Sequence, residues 1–402
     1  MSSNDRIFYA CQSVGIQAHG ADAVVTTGQM IHGLQSVGMT TNFNLEQAFE
    51  LGQIEIYENI EGTPDVEMTL EKVLDGYPLI YHMASVDGLD GSPGGSGLVG
   101  RSKSRSDVRL GIFPDNKNNV SAGDANAEAE VYCSGMYISS VSYTIPTDGS
   151  MTESVTLVGN NKQWLTGGQK ITAAAVNNFD GTDSPAAKNT PDGVAVLMSG
   201  GIQQREDVLM SGCILPNSIK GVTLDGGYSN AFDAANGINN VHLQSFSCST
   251  DFSREDILEL GRKTPYARPA AFPIEVSCEI EAVTTSGDFV NAFEFGDERL
   301  AATDASGNNT EEEDIFICTR AGYAFDLGRK NRLSSVSYGG GDAGGGNATC
   351  TYSYTNFNEL DVQNLSQNGY VGFEVLKDLT GSDMTFTGTF PTGALYGSTA
   401  AS

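Results

Sequence analysis

The residues equipped to do chemistry are few and scattered in this 402-residue chain. Its four histidines, His19, His32, His82 and His242, sit at no metal-ligand spacing from one another, from a cysteine or from a carboxylate. The seven cysteines are Cys11, Cys133, Cys213, Cys248, Cys278, Cys318 and Cys350. They include no Cys-x-x-Cys pair, and an odd count suits buried free thiols in a reducing compartment better than a disulfide framework. Glycine clusters at Gly91–Gly100 and Gly339–Gly346 have the composition of a phosphate cradle. The first lacks a following Lys-Thr/Ser pair and the second a following helix, so both read as loop tips. No Gly-x-Ser-x-Gly elbow, Walker loop or dinucleotide fingerprint is present.

Two charge clusters remain. Glu311, Glu312, Glu313 and Asp314 form an acidic run, but four adjacent carboxylates lack the spaced oxygen ligands of a calcium loop. Arg101, Lys103, Arg105 and Arg109 form the one basic cluster, without interleaved aromatics. With 22 Lys+Arg against 50 Asp+Glu, the formal charge of −28 repels nucleic acid and anionic membranes. The two clusters are therefore expected to be solvated loops or to meet across an interface between subunits. A carbohydrate-active enzyme with paired carboxylates is the catalytic alternative. The single Trp164 speaks against it, because sugar platforms use exposed aromatics. The expectation is a non-enzyme with no catalytic residue, metal or cofactor.

The elements that position these residues are written twice. Leu34–Gly52 reads LQSVGMTTNFNLEQAFELG and Leu243–Gly261 reads LQSFSCSTDFSREDILELG, a constant offset of 209 with nine of nineteen positions identical. Chance would give about one. Tyr57 matches Tyr266 and Pro64 matches Pro273; then, after a one-residue slip, VEMTLE (Val66–Glu71) lies over IEVSCE (Ile274–Glu279). SSVSY recurs at Ser139–Tyr143 and Ser334–Tyr338. Blocks in the same order at this spacing are two domains of common origin, not a solenoid.

Each unit reads as a strand (Leu34–Phe43; Val241–Phe252), then a short helix capped by Asn44 or Ser253 and closed by Gly52 or Gly261. Alternating strands Val66–Val73 and Ile274–Val283 follow. Glu130–Thr144 and Ser154–Gly159 form a hairpin around Pro146–Gly149, whose counterpart is expanded to Gly339–Gly346. Leu34, Phe43, Leu51 and Gly52, with Leu243, Phe252, Leu260 and Gly261, are the expected repeated core positions. The expected division is a first domain at 1–163, a connector at 164–204 with a strand at Val194–Leu197, and a second domain at 205–402. The fold class is mainly β, with one short α-helix per unit and long hairpin or loop extensions. No run approaches the ~20 apolar residues of a membrane span. The opening Met-Ser-Ser-Asn-Asp-Arg is unlike a signal peptide, so synthesis and assembly in a cytoplasm are expected.

The run Asn42–Gly76, NFNLEQAFELGQIEIYENIEGTPDVEMTLEKVLDG, with SSVSYTIPTDGSMTESVTLVG (Ser139–Gly159), resembles the tail tube proteins of tailed bacteriophages. The resemblance implies tandem β-sandwich or barrel domains whose strands join those of neighbours in one lumenal barrel. It implies stacked rings conducting a genome, with three fused chains giving pseudo-sixfold symmetry. Implied partners are further copies, a tail terminator, a tape measure and baseplate or tip proteins. Genomic DNA would pass an acidic lumen without specific binding, in a virion tail assembled in the host cytoplasm. A terminator, decoration or sheath-associated protein is the structural alternative. The second copy, LGRKTPYARPAAFPIEVSCEIE, has lost the acidic step E-I-Y-E-N-I-E-G, which sets the two halves apart in their contacts.

Overall fold

The computed structural model describes residues 7, 12–20, 31–52, 54–75, 79–85, 98–113, 127–166, 202–208, 210, 213–216, 219, 241–283, 290, 313–319, 323–341 and 346–362, and the backbone of 232–233, 238–239, 363–364, 374–375 and 386–387. The first half holds β1 (Gln12–Ala18), β2 (Leu34–Asn42), β3 (Leu45–Phe49), β4 (Ile56–Glu61) and β5 (Asp65–Val73). Short helices α1 (Ile80–Ala84) and α2 (Leu98–Arg101) precede β6 (Ser106–Ile112), β7 (Ala129–Pro146), β8 (Thr152–Gly159) and β9 (Asn161–Leu165). The brief pair β10 (Phe232–Asp233) and β11 (Ile238–Asn239) leads to β12 (His242–Asp251), β13 (Glu275–Val283), β14 (Phe316–Cys318) and β15 (Tyr323–Asp326). Last come β16 (Arg332–Gly339), β17 (Thr349–Phe357), β18 (Asp361–Asn364), β19 (Glu374–Val375) and β20 (Phe386–Thr387). The chain is mainly β. The expected strand at Val194–Leu197 lies outside the described residues, and β9 runs across the expected boundary at residue 163.

Period-two patterning builds the main sheet. In β5, Val66, Met68 and Leu70 are buried while Glu67 and Glu71 are exposed; in β13, Val276, Cys278 and Ile280 are buried while Glu275, Ser277 and Glu279 are exposed. Eight strands pair antiparallel in the order β16-β17-β13-β12-β7-β8-β5-β2. Its left half, β16-β17-β13-β12, and its right half, β7-β8-β5-β2, correspond strand for strand. In β2–β5 the register slips between Leu34 and Ser36, with Met39 opposite Met68; in β12–β13 it slips between Leu243 and Ser245, with Cys248 opposite Cys278. Likewise β7–β8 slips between Ile138 and Ser140, and β16–β17 between Leu333 and Ser335. Leu70 opposes Val155 in β5–β8 as Ile280 opposes Tyr352 in β13–β17.

These registers correct one sequence expectation. With β2 matched to β12 at 209, the partner strands match at 210: Val66 corresponds to Val276 and Glu71 to Glu281. The sequence slip placed Val66 over Ile274, two residues away. A shift of two keeps every side chain on its own face, so alternation could not separate the two alignments.

A second correction concerns the expected helices after Asn44 and Ser253. Both segments are hairpin arms. β3 and β4 pair with Leu45 opposite Glu61 and Ala48 opposite Glu58; Arg254 opposite Ala270 and Ile257 opposite Ala267 give the same register in the second arm. Asn44 and Ser253 have φ of 47° and 43°, which a helix N-cap does not adopt. Asn42 Oδ1 accepts the N–H of Asn44 at 3.1 Å, and Asp251 Oδ1 that of Ser253 at 2.8 Å, so matched Asx turns start both arms. Gly52 (φ 93°) and Gly261 (φ 88°) sit at matching places in the arm turns. Consequently Phe43, Leu51 and Leu260 are not core residues: they are 62%, 103% and 104% exposed, while Phe252 is fully buried.

The second layer covers one face of the sheet. β7 is long enough to serve two sheets: its first half pairs with β6 and β9, its second with β8 and β12, and Gly135 (φ 66°) lies between. β1 extends this layer beside β6, and α1 packs on β1, β7 and β8. On the other half, β14-β15-β18 form a three-stranded sheet. Phe325 of β15 stacks on Tyr143 at 4.9 Å and on Phe246 at 6.1 Å, so it lies over the β7–β12 seam. One continuous apolar core therefore runs through both halves.

Candidate assembly interface

Strand β12 of the left half pairs with β7 of the right half, Cys248 opposite Tyr143 and Ser249 opposite Ser142. This seam joins the tail edge of one four-stranded unit to the head edge of the other. Among the described residues the sheet ends in two edges that have not been joined: β16, the counterpart of β7, and β2, the counterpart of β12.

Burial at the free edges matches that reading. Phe246, Cys248 and Thr250 are buried at the seam, whereas Val37, Met39 and Thr41 at the corresponding places in β2 are half-buried. Tyr143 is 1% exposed and its counterpart Tyr338 is 54% exposed. Ser337 and Gly339 near the end of β16 leave a polar, uncovered edge row of the type that templates strand pairing.

The seam is reinforced by the second arm. Phe252 donates its N–H to the Ser139 carbonyl at 2.8 Å. Arg254 donates to the carbonyls of Ile138 (2.8 Å) and Ser102 (2.6 Å) and lies 5.2 Å from the Tyr137 ring centre. Burial pulls its pKa down to about 10, against the opposing pull of Tyr137, so it stays a cation at neutral pH. Farther out, Arg268 bridges Asp65 (2.6 Å) on the right half and Asp256 on its own arm, and Thr63 Oγ1 donates to the Lys263 carbonyl. The arms differ in charge: residues 44–62 carry Glu46, Glu50, Glu55, Glu58 and Glu61 with no Lys or Arg, while residues 253–271 carry Arg254, Arg262, Lys263 and Arg268.

The face of the sheet turned from the core is hydroxylic and acidic. Its positions include Thr40, Glu67, Glu71, Ser142, Ser154 and Thr156 on the right, and Ser249, Glu275, Glu279, Thr351 and Ser353 on the left.

The sequence-selected charges are not gathered into one patch. Arg101 is 2% exposed, donates to Ser85 Oγ at 2.8 Å and lies 5.7 Å from the Tyr81 ring. Arg109 pairs with buried Glu130 at 2.7 Å and stacks over Tyr132 at 4.4 Å. Lys103 and Arg105 are exposed. The solvated-cluster expectation fails for Arg101 because its aliphatic stem and guanidinium fill the second layer. Glu313 is likewise buried, and Asp314 faces Arg329 at 3.8 Å; Glu311 and Glu312 lie outside the described residues.

Arg254, Arg268 and Asp65 were missed as interface residues. The signal for Arg268 was the point where the second copy departs from the first, GRKTPYAR in place of GQIEIYEN, and that for Arg254 its replacement of Leu45.

Two further titratable groups, His82 and Glu153, are internal. His82 is held near pKa 3, by burial first and then by Arg101, and its Nε2 contacts the Val362 carbonyl at 2.7 Å. Glu153 accepts the N–H groups of Ile80 (2.7 Å) and Tyr81 (3.0 Å) and the Tyr143 hydroxyl (3.0 Å); burial raises its pKa. Neither opens to a cleft: His82 is 2% and Glu153 0% exposed. Among the described residues no group of three His, Cys, Asp or Glu side chains could hold a metal, and no helix is long and apolar enough to cross a membrane.

No protein-family profile matches the chain, and no curated protein sequence matches it. Solved structures similar to it include a chain of the anti-feeding prophage cap (AFP tube terminating cap), at 11% identity and TM-score 0.28, covering 42% of this chain and 95% of that one. A chain of the sheath-tube complex of the extracellular contractile injection system PVC, in its extended state, is 12% identical at TM-score 0.28, covering 41% and 95%. A chain of the sixfold-symmetrised AFP baseplate is 13% identical at TM-score 0.27, covering 41% and 97%. Similarity at that level decides nothing about function, which rests on the chain's own geometry.

Proposed function

We propose that the chain is the structural subunit of a viral tail tube, a duplicated protein whose copies close a ring by pairing β2 of one molecule with β16 of the next. The observation that carries this reading is the β12–β7 seam: the molecule already contains one example of the joint that its two free edges are shaped to make. Transferring the seam register by the strand correspondences places Met39 opposite Tyr338 and Thr40 opposite Ser337. Repeating a heterologous contact generates a closed ring when the rotation allows it. Pairing also removes both exposed edges, which otherwise invite aggregation.

Three chains supply 24 strands from the eight in each. At about 4.8 Å between strands and a tilt of ~40°, the backbone circumference is roughly 150 Å and its diameter about 48 Å. Side chains narrow this to a lumen of about 35 Å, wide enough for a nucleic-acid duplex. The covered apolar face must turn outward and the Ser/Thr/Glu face inward. A lumen of hydroxyls and carboxylates repels phosphate and releases no counterions on contact, so a genome slides past without adhering. Stacked rings, with terminator, tape measure and baseplate proteins as partners, complete the virion tail assembled in the host cytoplasm.

Electron microscopy and native mass spectrometry of the purified chain test this. Hollow rings or filaments of uniform width built on a three-chain mass are expected. A monodisperse monomer at every concentration, with no ring, would overturn it.

A further inference from the structure

The seam inside the chain and the joint between chains occupy corresponding places, so each contact at the first names its counterpart at the second. Arm positions map at 209: Leu45 stands for Arg254, Ile54 for Lys263, Asn59 for Arg268 and Phe272 for Thr63. The strand register maps Asp65 to Glu275. The internal seam is held by cations: Arg254 on two carbonyls, Arg268 on Asp65. At the corresponding places the first arm brings no cation; the one cation there is Arg332 of β16, which takes the place of Tyr137.

We infer that the first arm of one molecule docks on the second-arm root of the next copy, using apolar and amide side chains where the second arm uses cations. In this joint Ile54 packs on Phe272, and Asn59 donates its amide to Glu275 of the next chain. This rests on the ring reading above. Exposure fits it: Ile54 is 101%, Leu45 63% and Phe272 48% exposed, and Glu275 is exposed, which leaves each available to a neighbour. The occupant is a second copy, because the internal seam shows the same arm seated on the same kind of unit. The chemical difference also separates the two responses to salt. Ionic seams weaken as charges are screened over ~8 Å at physiological ionic strength, whereas apolar contacts do not. Added salt therefore weakens the Arg268–Asp65 bridge of the seam and leaves the apolar arm contact of the joint in place.

The test mixes variants that each carry one added cysteine under mild oxidation and reads covalent dimers on a non-reducing gel, with the parent chain as the control for its seven native thiols. Ile54→Cys with Phe272→Cys should give a dimer that neither variant gives alone. A second pair, Thr40→Cys with Ser337→Cys, reports the strand joint independently. If the strand pair links and the arm pair does not, the arm docking is wrong and the ring reading stands; if neither links, both fall. Asn59→Arg supplies a further readout. It should tighten assembly about tenfold at low salt and lose that gain with Glu275→Gln. An Asn59→Arg variant that assembles like the parent, or whose gain ignores Glu275, would overturn the inference.

Discussion

One substitution at two corresponding positions separates folding from assembly. Phe252 is completely buried against the seam, while Phe43 is 62% exposed at the root of the first arm. Phe252→Ala should destabilise the dilute chain by about 3–5 kcal/mol, the usual cost of emptying a buried aromatic site. Phe43→Ala should change the dilute chain by no more than ~0.5 kcal/mol, because little of its ring is packed. Its effect belongs to assembly. A phenylalanine offers about 200 Å². At 62% exposure, roughly 120 Å² of Phe43 awaits cover, worth up to about 3 kcal/mol. Ordering and desolvation losses reduce the measurable part to about 1.5 kcal/mol, or ~10-fold in Kd per joint. Three joints per ring multiply that to about a thousandfold in ring formation if they act independently. Urea titrations of dilute protein give the first quantity, and sedimentation velocity across a concentration series gives the second. Equal destabilisation of both variants, or unimpaired rings from Phe43→Ala, would refute the reasoning.

Other consequences are open to direct measurement. Arg268→Ala should cost about 1–3 kcal/mol of chain stability, since it removes a 9%-exposed guanidinium from Asp65 and Asp256; the loss should shrink in 1 M salt, as followed by urea titration. Buried His82 titrates near 3 when folded, against about 6.5 unfolded, so its contribution is complete above pH 6.5 and fades as pH falls towards 3. The slope is up to ~1.4 kcal/mol per pH unit in that window, and His82→Gln should flatten it in thermal melts. Asp326 has the opposite sign: burial, with neighbouring carboxylates, raises its pKa to about 6, so folding works against its charge above pH 6. Asp326→Asn should therefore stabilise the chain by about 1–3 kcal/mol at pH 7.5 and give no gain at pH 4, since the Gly328 N–H keeps its acceptor.

The strands with one buried face were legible in the residues. Asp65–Val73 and Glu275–Val283 emerge within a residue of their expected limits, and the hairpin around Pro146–Gly149 lies where its turn signal put it. Alternation is imposed by a core on one side, and it fails where there is no core. The arms show this: the capping residues Asn44 and Ser253 and the closing Gly52 and Gly261 suggested helices, yet Phe49 and Leu51 between them are 67% and 103% exposed. With no buried face to read, the end signals alone gave helix, while the positive φ at Asn44 and the Asn42 side chain started a hairpin. Arg101 was misplaced for a related reason. Charge implies solvent only on average, and a guanidinium that finds Ser85 and the Tyr81 face can be buried. The interface chemistry was legible as a difference between copies, in the basic residues of the second arm, but only the seam shows what those cations hold.

The most direct test of the account fixes the register of the joint between molecules. Ser337→Cys chains mixed with Thr40→Cys chains should link efficiently, because Thr40 and Ser337 occupy the places of Ser249 and Ser142 in the internal seam. Ser335→Cys, on the same face two residues away, should link poorly to Thr40→Cys. Linking at 335 in preference to 337, or no linking from either, would mean that the free edges do not repeat the seam.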